Sequence, residues 1–214
     1  MMRIPCGREG AVGQRLMKLW RSPVTVLQGT QHYSAGMTEV FRAAIARALP
    51  SPERVRESLL RLSDRDVQDA ADYFSAVLPD FDVALVLPGA APLAVAVADL
   101  RGAFVVQAER QPSGHMQLTA PDWPQISDEL RDQARPARAV LFTPQLQSGL
   151  SELEVMLAAT HQGWTMRAVA AGVAHTNDAG RVRMELQGLP VVTPVLLADT
   201  PTGLVFERRF PQTA

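Results

Sequence analysis

The sequence predicts an α/β fold: a mostly parallel sheet with helices on both faces, preceded by an N-terminal helical region. Three observations predict it. Continuous apolar runs at 83–87, 139–142 and 166–173 read as strands buried on both faces. Segments with helical spacing separate them, the alternation that builds parallel βαβ units. Apolar residues make up 47% of the 214, which supports one large core and argues against a disordered chain.

The elements follow in order. Residues 1–20 carry Arg3, Arg8, Glu9, Arg15 and Lys18 without the continuous apolar core of a secretory signal, and read as a flexible extension. Residues 21–80 read as a helical region packed on the core. Within it, 24–27 suits a strand or packed arm. Ser34 reads as an N-cap ahead of Met37, Val40, Phe41 and Ile45 at helical spacing, closed by Pro50. Ser51-Pro52-Glu53 supplies a cap, an N1 proline and a first-turn acid for a helix to about Leu60. Ser63 and Asp66 resemble a capping box for a helix burying Val67, Ala70, Phe74 and Leu78.

Residues 81–214 read as the α/β core. The run at 83–87 ends in Pro88-Gly89, and the alanine-rich 91–100 is expected as helix. A strand at 103–107 leads into 111–125, whose Pro112, Gly114, Pro121 and Pro124 predict a long loop, with room for a short hairpin at 116–119. A helical turn or two is expected at 126–133. After the strand at 139–142, residues 143–149 read as a turn. Leu150, Leu153, Met156, Leu157 and Thr160 share one face of the next helix. A strand at 166–173, a helix at 178–187 closed by Gly188, short strands at 190–192 and 195–197, and an edge strand at 204–207 complete the chain.

Composition narrows the function classes. With 21 basic and 22 acidic residues the chain lacks the overall basic footprint of a nucleic-acid binder, and Arg208-Arg209 reads as solvated surface. No stretch approaches the ~20 apolar residues of a membrane helix. Cys6 is the single cysteine, so no intramolecular disulfide forms, which suits the cytoplasm. His32, His115, His161 and His175 show no metal-ligand spacing to one another or to Cys6, so no metal site is expected from sequence. Trp20, Trp123 and Trp164 read as packing residues, with base stacking the alternative for Trp123; Asp99 and Glu109 read as surface acids.

Ligands in open parallel sheets bind beyond the carboxyl ends of the strands. Two such ends stand out: Pro88, Gly89 and Ala90 after the first strand, and residues 143–151 after the third. In the second, Gln147, Ser148, Gly149, Leu150 and Ser151 join a glycine, two hydroxyls and the N-terminus of a helix, the ingredients of an anion site. An ordinary N-capped turn fits the same spacing, and Ser151 with Glu154 makes a plain capping box.

Val140-Leu141-Phe142 followed by Ser148-Gly149-Leu150-Ser151 resembles the ribose-phosphate signature of the type I phosphoribosyltransferases. Pro88-Gly89-Ala90 is similar to that family's pyrophosphate loop, and residues 188–191 to its Gly-Ile-Pro-Val strand entry. The resemblance spans 81–199 and implies the family's α/β fold, a flexible hood at the long loop and a homodimer. It also implies a phosphorylated ribose or nucleotide ligand and, in an active enzyme, magnesium. The signature's two adjacent acids are Thr143 and Pro144 here, and Ala90 stands where a second glycine is usual. The cation that often follows the second strand is Gln107 or Ala108, with Arg110 nearest.

Three readings follow. The first is a degenerate member that binds a ribose 5-phosphate or nucleotide at Ser148–Ser151 with weak or lost catalysis. The second is an active nucleobase phosphoribosyltransferase. The third is an interaction domain with no nucleotide ligand.

Overall fold

The computed structural model describes residues 38–132 and 134–207, all within one compact unit. Ser34, Met37, the strand expected at 24–27, the extension at 1–20, Cys6, His32, Trp20 and Arg208-Arg209 lie outside the described residues.

Three helices come first: α1 (Glu39–Ala46), α2 (Pro52–Leu60) and α3 (Asp64–Val77). Their caps are the ones the sequence spells. The Ser51 hydroxyl accepts from the Arg54 N–H, and Pro52 occupies the first turn of α2. Ser63 and Asp66 form the full capping box of α3, whose buried stripe includes Val67, Ala70 and Phe74.

The sheet then alternates with helices: β1 (Val83–Val86), α4 (Ala91–Arg101), β2 (Phe104–Arg110), β3 (Met116–Thr119), α5 (Trp123–Arg131), β4 (Arg138–Leu146), α6 (Leu150–His161), β5 (Thr165–His175), α7 (Ala179–Leu186), β6 (Val191–Val192), β7 (Val195–Thr200) and β8 (Gly203–Phe206). The strand order is β3-β2-β1-β4-β5-β7-β8, with β6 also on β5. The outer pairs β2–β3 and β7–β8 are antiparallel and the rest parallel. One face packs on α1–α4 around Phe41, Phe74 and Phe142; the other packs on α5–α7 around Leu141, Val155 and Met184. Among the described residues no helix is long and apolar enough to cross a membrane.

At the amino ends of the strands, Asp82 accepts hydrogen bonds from the Arg135 guanidinium, the Arg138 backbone N–H and the Arg138 guanidinium, the shortest at 2.7 Å. Arg135 first, then Arg138, holds the Asp82 carboxyl well below the usual carboxylate range.

Three expectations need correction. The loop at 111–125 is mostly ordered. The hairpin expected at 116–119 is there, its turn closed by the Gln111 N–H on the His115 carbonyl, and α5 begins at Trp123. Arg110 pairs with Glu154 and so fastens this hairpin to α6, which leaves no long hood loop. Residues 143–146 are strand rather than turn. β5 is long enough to pair Thr143 with Ala171, Gln145 with Val173 and Leu146 with Ala174. Pro144 is tolerated because the β1 ladder has already ended at Phe142 and Pro144 is skipped in the pairing with β5. Finally, α6 buries Glu152, Val155 and Ala159, while Leu150 and Leu157 are exposed. The seating of Gly149 against Gly180 and of Glu152 against Thr143 sets the helix rotation, overriding its weak apolar stripe.

Candidate functional site

The carboxyl ends of β1, β4, β5 and β7 hold the candidate site residues among the described residues. The Pro144–Gly172 pair divides them. Up to it, Phe142 and Ala170 face α1–α4, and Leu141 and Ala171 face α6. Beyond it the alternation changes phase, so Val173 faces α1–α4 while Leu146 and Ala174 face α6. A proline that donates no N–H and a glycine without Cβ sit at this irregularity.

Beyond β1, Gly89 adopts φ +88°, which a residue with a side chain rarely tolerates. Ala90 is buried at the N-cap position of α4, and Pro88 is exposed. Pro144 and the exposed Leu60 lie against this loop. A Cβ built on Gly89 would stand 3.0 Å from Leu60 Cδ2 and 3.4 Å from Pro144 Cγ. Phe41, Leu59, Leu93 and Gly172 close around the same spot, and the apolar cavity they leave is only about 20 Å³. That is room for about one water molecule.

Thr143 and Pro144, at the positions of the signature acids, are both committed. Pro144 packs in the apolar cluster just described. The Thr143 hydroxyl donates to Glu152 Oε1 at 2.9 Å. Glu152 is 5% exposed, and burial pushes its carboxyl above the ordinary range against the opposing pull of its own backbone N–H and the Thr143 hydroxyl. Magnesium, which the resemblance implies for an active enzyme, does not fit here: the proline side chain offers no ligand atom, and the threonine hydroxyl is spent on Glu152.

The Ser148 loop differs in character. Gly149, at φ +74°, is the N-cap of α6 and packs against Gly180, whose N–H donates to the Gln147 carbonyl at 2.7 Å. Ser148 is exposed, and its hydroxyl accepts from the Leu150 N–H at 3.4 Å. Arg183 donates to the Ser148 carbonyl, which brings a guanidinium to the rim. Ser151 is half-buried in the first turn. The capping box of Ser151 with Glu154 does not form, because Gly149 is the cap and Glu154 pairs with Arg110. The loop therefore presents a hydroxyl, a helix N-terminus and an arginine to solvent, with Glu152 buried in the first turn of that helix.

The structure also joins residues that the spacing of histidines did not reveal. His175, at the end of β5, is 2% exposed; Asp178 and Asp199 stand beside its Nδ1 at 3.8 Å and 3.4 Å. Histidine spacing carries no signal of this cluster, because the partners are aspartates, one of them 24 positions away on another strand. Trp123 packs on Trp164 with ring centroids 6.0 Å apart, the packing role expected of both. Asp99 and Glu109 are exposed, also as expected.

No protein-family model matches the chain, and no curated protein matches it in sequence. Solved structures do match in shape. A phosphoribosyltransferase from Corynebacterium diphtheriae is 15% identical, with 75% of this chain and 95% of that one covered and a TM-score of 0.55. Orotate phosphoribosyltransferase from Mycobacterium tuberculosis, solved with 5-phospho-α-D-ribosyl 1-diphosphate, is 14% identical over 75% of this chain and 88% of that one, at a TM-score of 0.52. Adenine phosphoribosyltransferase from Trypanosoma brucei, solved with AMP, pyrophosphate and ribose-5-phosphate, is 14% identical over 73% and 79%, also at 0.52. The chain has the fold of the type I phosphoribosyltransferases.

Proposed function

We propose that this chain is a phosphoribosyltransferase-fold protein that binds a ribose 5-phosphate or nucleotide through its phosphate group at Ser148–Ser151 and has lost phosphoribosyl transfer. The observation that carries the loss of catalysis is the commitment of Thr143 and Pro144, the first bonded to Glu152 and the second packed against Gly89. A pyrophosphate needs polar donors and room at that loop, and a developing ribose cation needs negative charge at 143 and 144. Threonine and proline supply neither.

Retention of the phosphate end is supported by the exposed Ser148 hydroxyl, the start of α6 and the Arg183 guanidinium at the rim. These groups recognise a phosphate whatever base it carries, so the reading commits to the 5′-phosphate rather than to one nucleobase. It also carries a cytoplasmic location and a homodimer, the first from the single cysteine and the second from the family resemblance. Light scattering on the purified chain tests the homodimer.

The test of lost catalysis is pyrophosphate release from phosphoribosyl pyrophosphate and magnesium across a panel of purine and pyrimidine bases. No release is expected with any base. Release with one of them, abolished by Gly89→Leu, would establish an active transferase and overturn the reading.

A further inference from the structure

We propose that His175, Asp178 and Asp199 form a binding site for one divalent transition-metal ion at the carboxyl ends of β5 and β7. One ligand atom from each residue lies within 4.8 Å of the others. His175 Nδ1 is 3.4 Å from Asp199 Oδ2 and 3.8 Å from Asp178 Oδ2. Around a tetrahedral ion with metal–ligand distances near 2.0–2.2 Å, donor atoms stand roughly 3.3–3.5 Å apart. With the set spanning up to 4.8 Å, closing it on an ion requires the two solvent-reached carboxylates to draw together by about 1 Å.

Several features favour a built site over a chance meeting of polar groups. The imidazole is buried while both carboxylates reach solvent, so the nitrogen ligand is fixed and an ion has an entry path. Asp199 is clamped through its backbone: its N–H donates to Asn177 Oδ1 at 3.1 Å, and its carbonyl accepts from Asn177 Nδ2 at 3.4 Å. Asp178 occupies the N-cap position of α7, yet its side chain makes no capping hydrogen bond. An aspartate at that position ordinarily caps the helix, and this one stands beside the imidazole instead.

The far side of the ring is held as well. Gln145 places its amide nitrogen 2.5 Å from His175 Nε2, too close for two nitrogens that each carry a proton. The two ends of an amide are exchanged by a half-turn, and with the oxygen facing the ring it accepts from Nε2–H. That tautomer leaves the Nδ1 lone pair aimed at the two aspartates, the arrangement by which a neighbouring group orients a histidine ligand. Among the described residues neither Asp178 nor Asp199 has an arginine or lysine partner, so a divalent cation neutralises their joint charge. One imidazole with two carboxylates suits zinc, manganese, iron or cobalt better than magnesium or calcium.

The site shares no residue with Ser148–Ser151, and it stands or falls independently of the phosphate reading. The test uses the full-length chain stripped with chelator, titrated with Zn²⁺ by calorimetry and with Co²⁺ by visible absorption. One equivalent of either metal is expected, with Co²⁺ showing the d–d bands of a low-coordinate nitrogen–oxygen site. Asp178→Asn and Asp199→Asn, both at solvent-reached carboxylates, should each weaken binding at least about tenfold. The double variant should abolish it while circular dichroism stays that of the parent. His175→Gln should also abolish the Co²⁺ bands. Absence of saturable binding in the parent, or one-equivalent binding retained by the double variant, would overturn the proposal.

Discussion

The Thr143 hydroxyl donates to the buried Glu152 carboxylate, so the end of β4 is bonded to the first turn of α6. A signature position that would hold a ribose in the related fold is thereby spent inside the protein. The same buried acid stands in the first turn of the helix whose N-terminus is proposed to take a phosphate.

Glu152→Gln follows directly. Burial raises the folded-state pKa of Glu152 above its ordinary value. Its contribution to stability is therefore fully present below about pH 4.3, the unfolded value, and is lost as pH rises through the folded value. Glutamine still accepts from Thr143 and carries no charge. At pH 7 the variant should melt at or above the parent temperature, and the difference should shrink near pH 4. It should also bind 5′-phosphates more tightly. A variant less stable than the parent at pH 7 would show that the ionised carboxylate is needed.

Restoring the signature acids meets the same residue. Thr143→Asp sets a second carboxylate against Glu152, and two acids sharing a buried site cannot both ionise freely. The single variant should lose about 1–3 kcal/mol in denaturant unfolding, and adding Glu152→Gln should recover most of that loss. Magnesium-dependent affinity for phosphoribosyl pyrophosphate is expected only when Pro144→Asp and Leu60→Ala are added, which remove the apolar side chains against Gly89.

Gly180 packs against the loop so closely that a Cβ there would lie 2.1 Å from the Gln147 carbonyl oxygen. Gly180→Ala should cost about 1–3 kcal/mol or more, as overpacking does, and should weaken 5′-phosphate binding. An unchanged melting temperature would show that the loop is free to move away from α7.

At the opposite end of the sheet, Asp82→Asn should destabilise the chain by roughly 1–3 kcal/mol at pH 7 through the lost charged hydrogen bonds. Arg135 and then Arg138 depress the Asp82 pKa. The stabilisation is thus present above about pH 3.9, the unfolded value, and is lost as pH falls through the folded value. Parent and variant should converge in acid. Ligand binding should be unaffected, since Asp82 lies at the amino ends of the strands.

The elements legible in the sequence are those whose cause is local. Ser51 and Ser63 cap their helices with groups a few positions away, and 83–86 is apolar because both faces of β1 are covered. The misreadings have distant causes. Residues 143–146 are strand because β5 runs on beside them, and α6 turns its Glu152 inward because Thr143 and Gly180 fix its orientation. The contact of Leu60 with Gly89 was illegible for the same reason: Leu60 reads as the end of an ordinary helix until the fold brings it against the loop. His175 looks isolated until β7 delivers Asp199.

The phosphate end of the site is proposed to work while the pyrophosphate end, with Pro144 and Leu60 against Gly89, does not. A thermal-shift titration with ribose 5-phosphate, a panel of nucleoside 5′-monophosphates, and phosphoribosyl pyrophosphate with and without magnesium tests it most directly. A ligand at ~100 times its dissociation constant adds about 2.7 kcal/mol, which for a chain of this size raises the melting temperature by roughly 5–10 °C. Such a shift is expected with 5′-phosphates, independent of magnesium and abolished by Ser148→Asp. A magnesium-dependent shift with phosphoribosyl pyrophosphate alone, or no shift with any of these ligands at millimolar concentration, would contradict it.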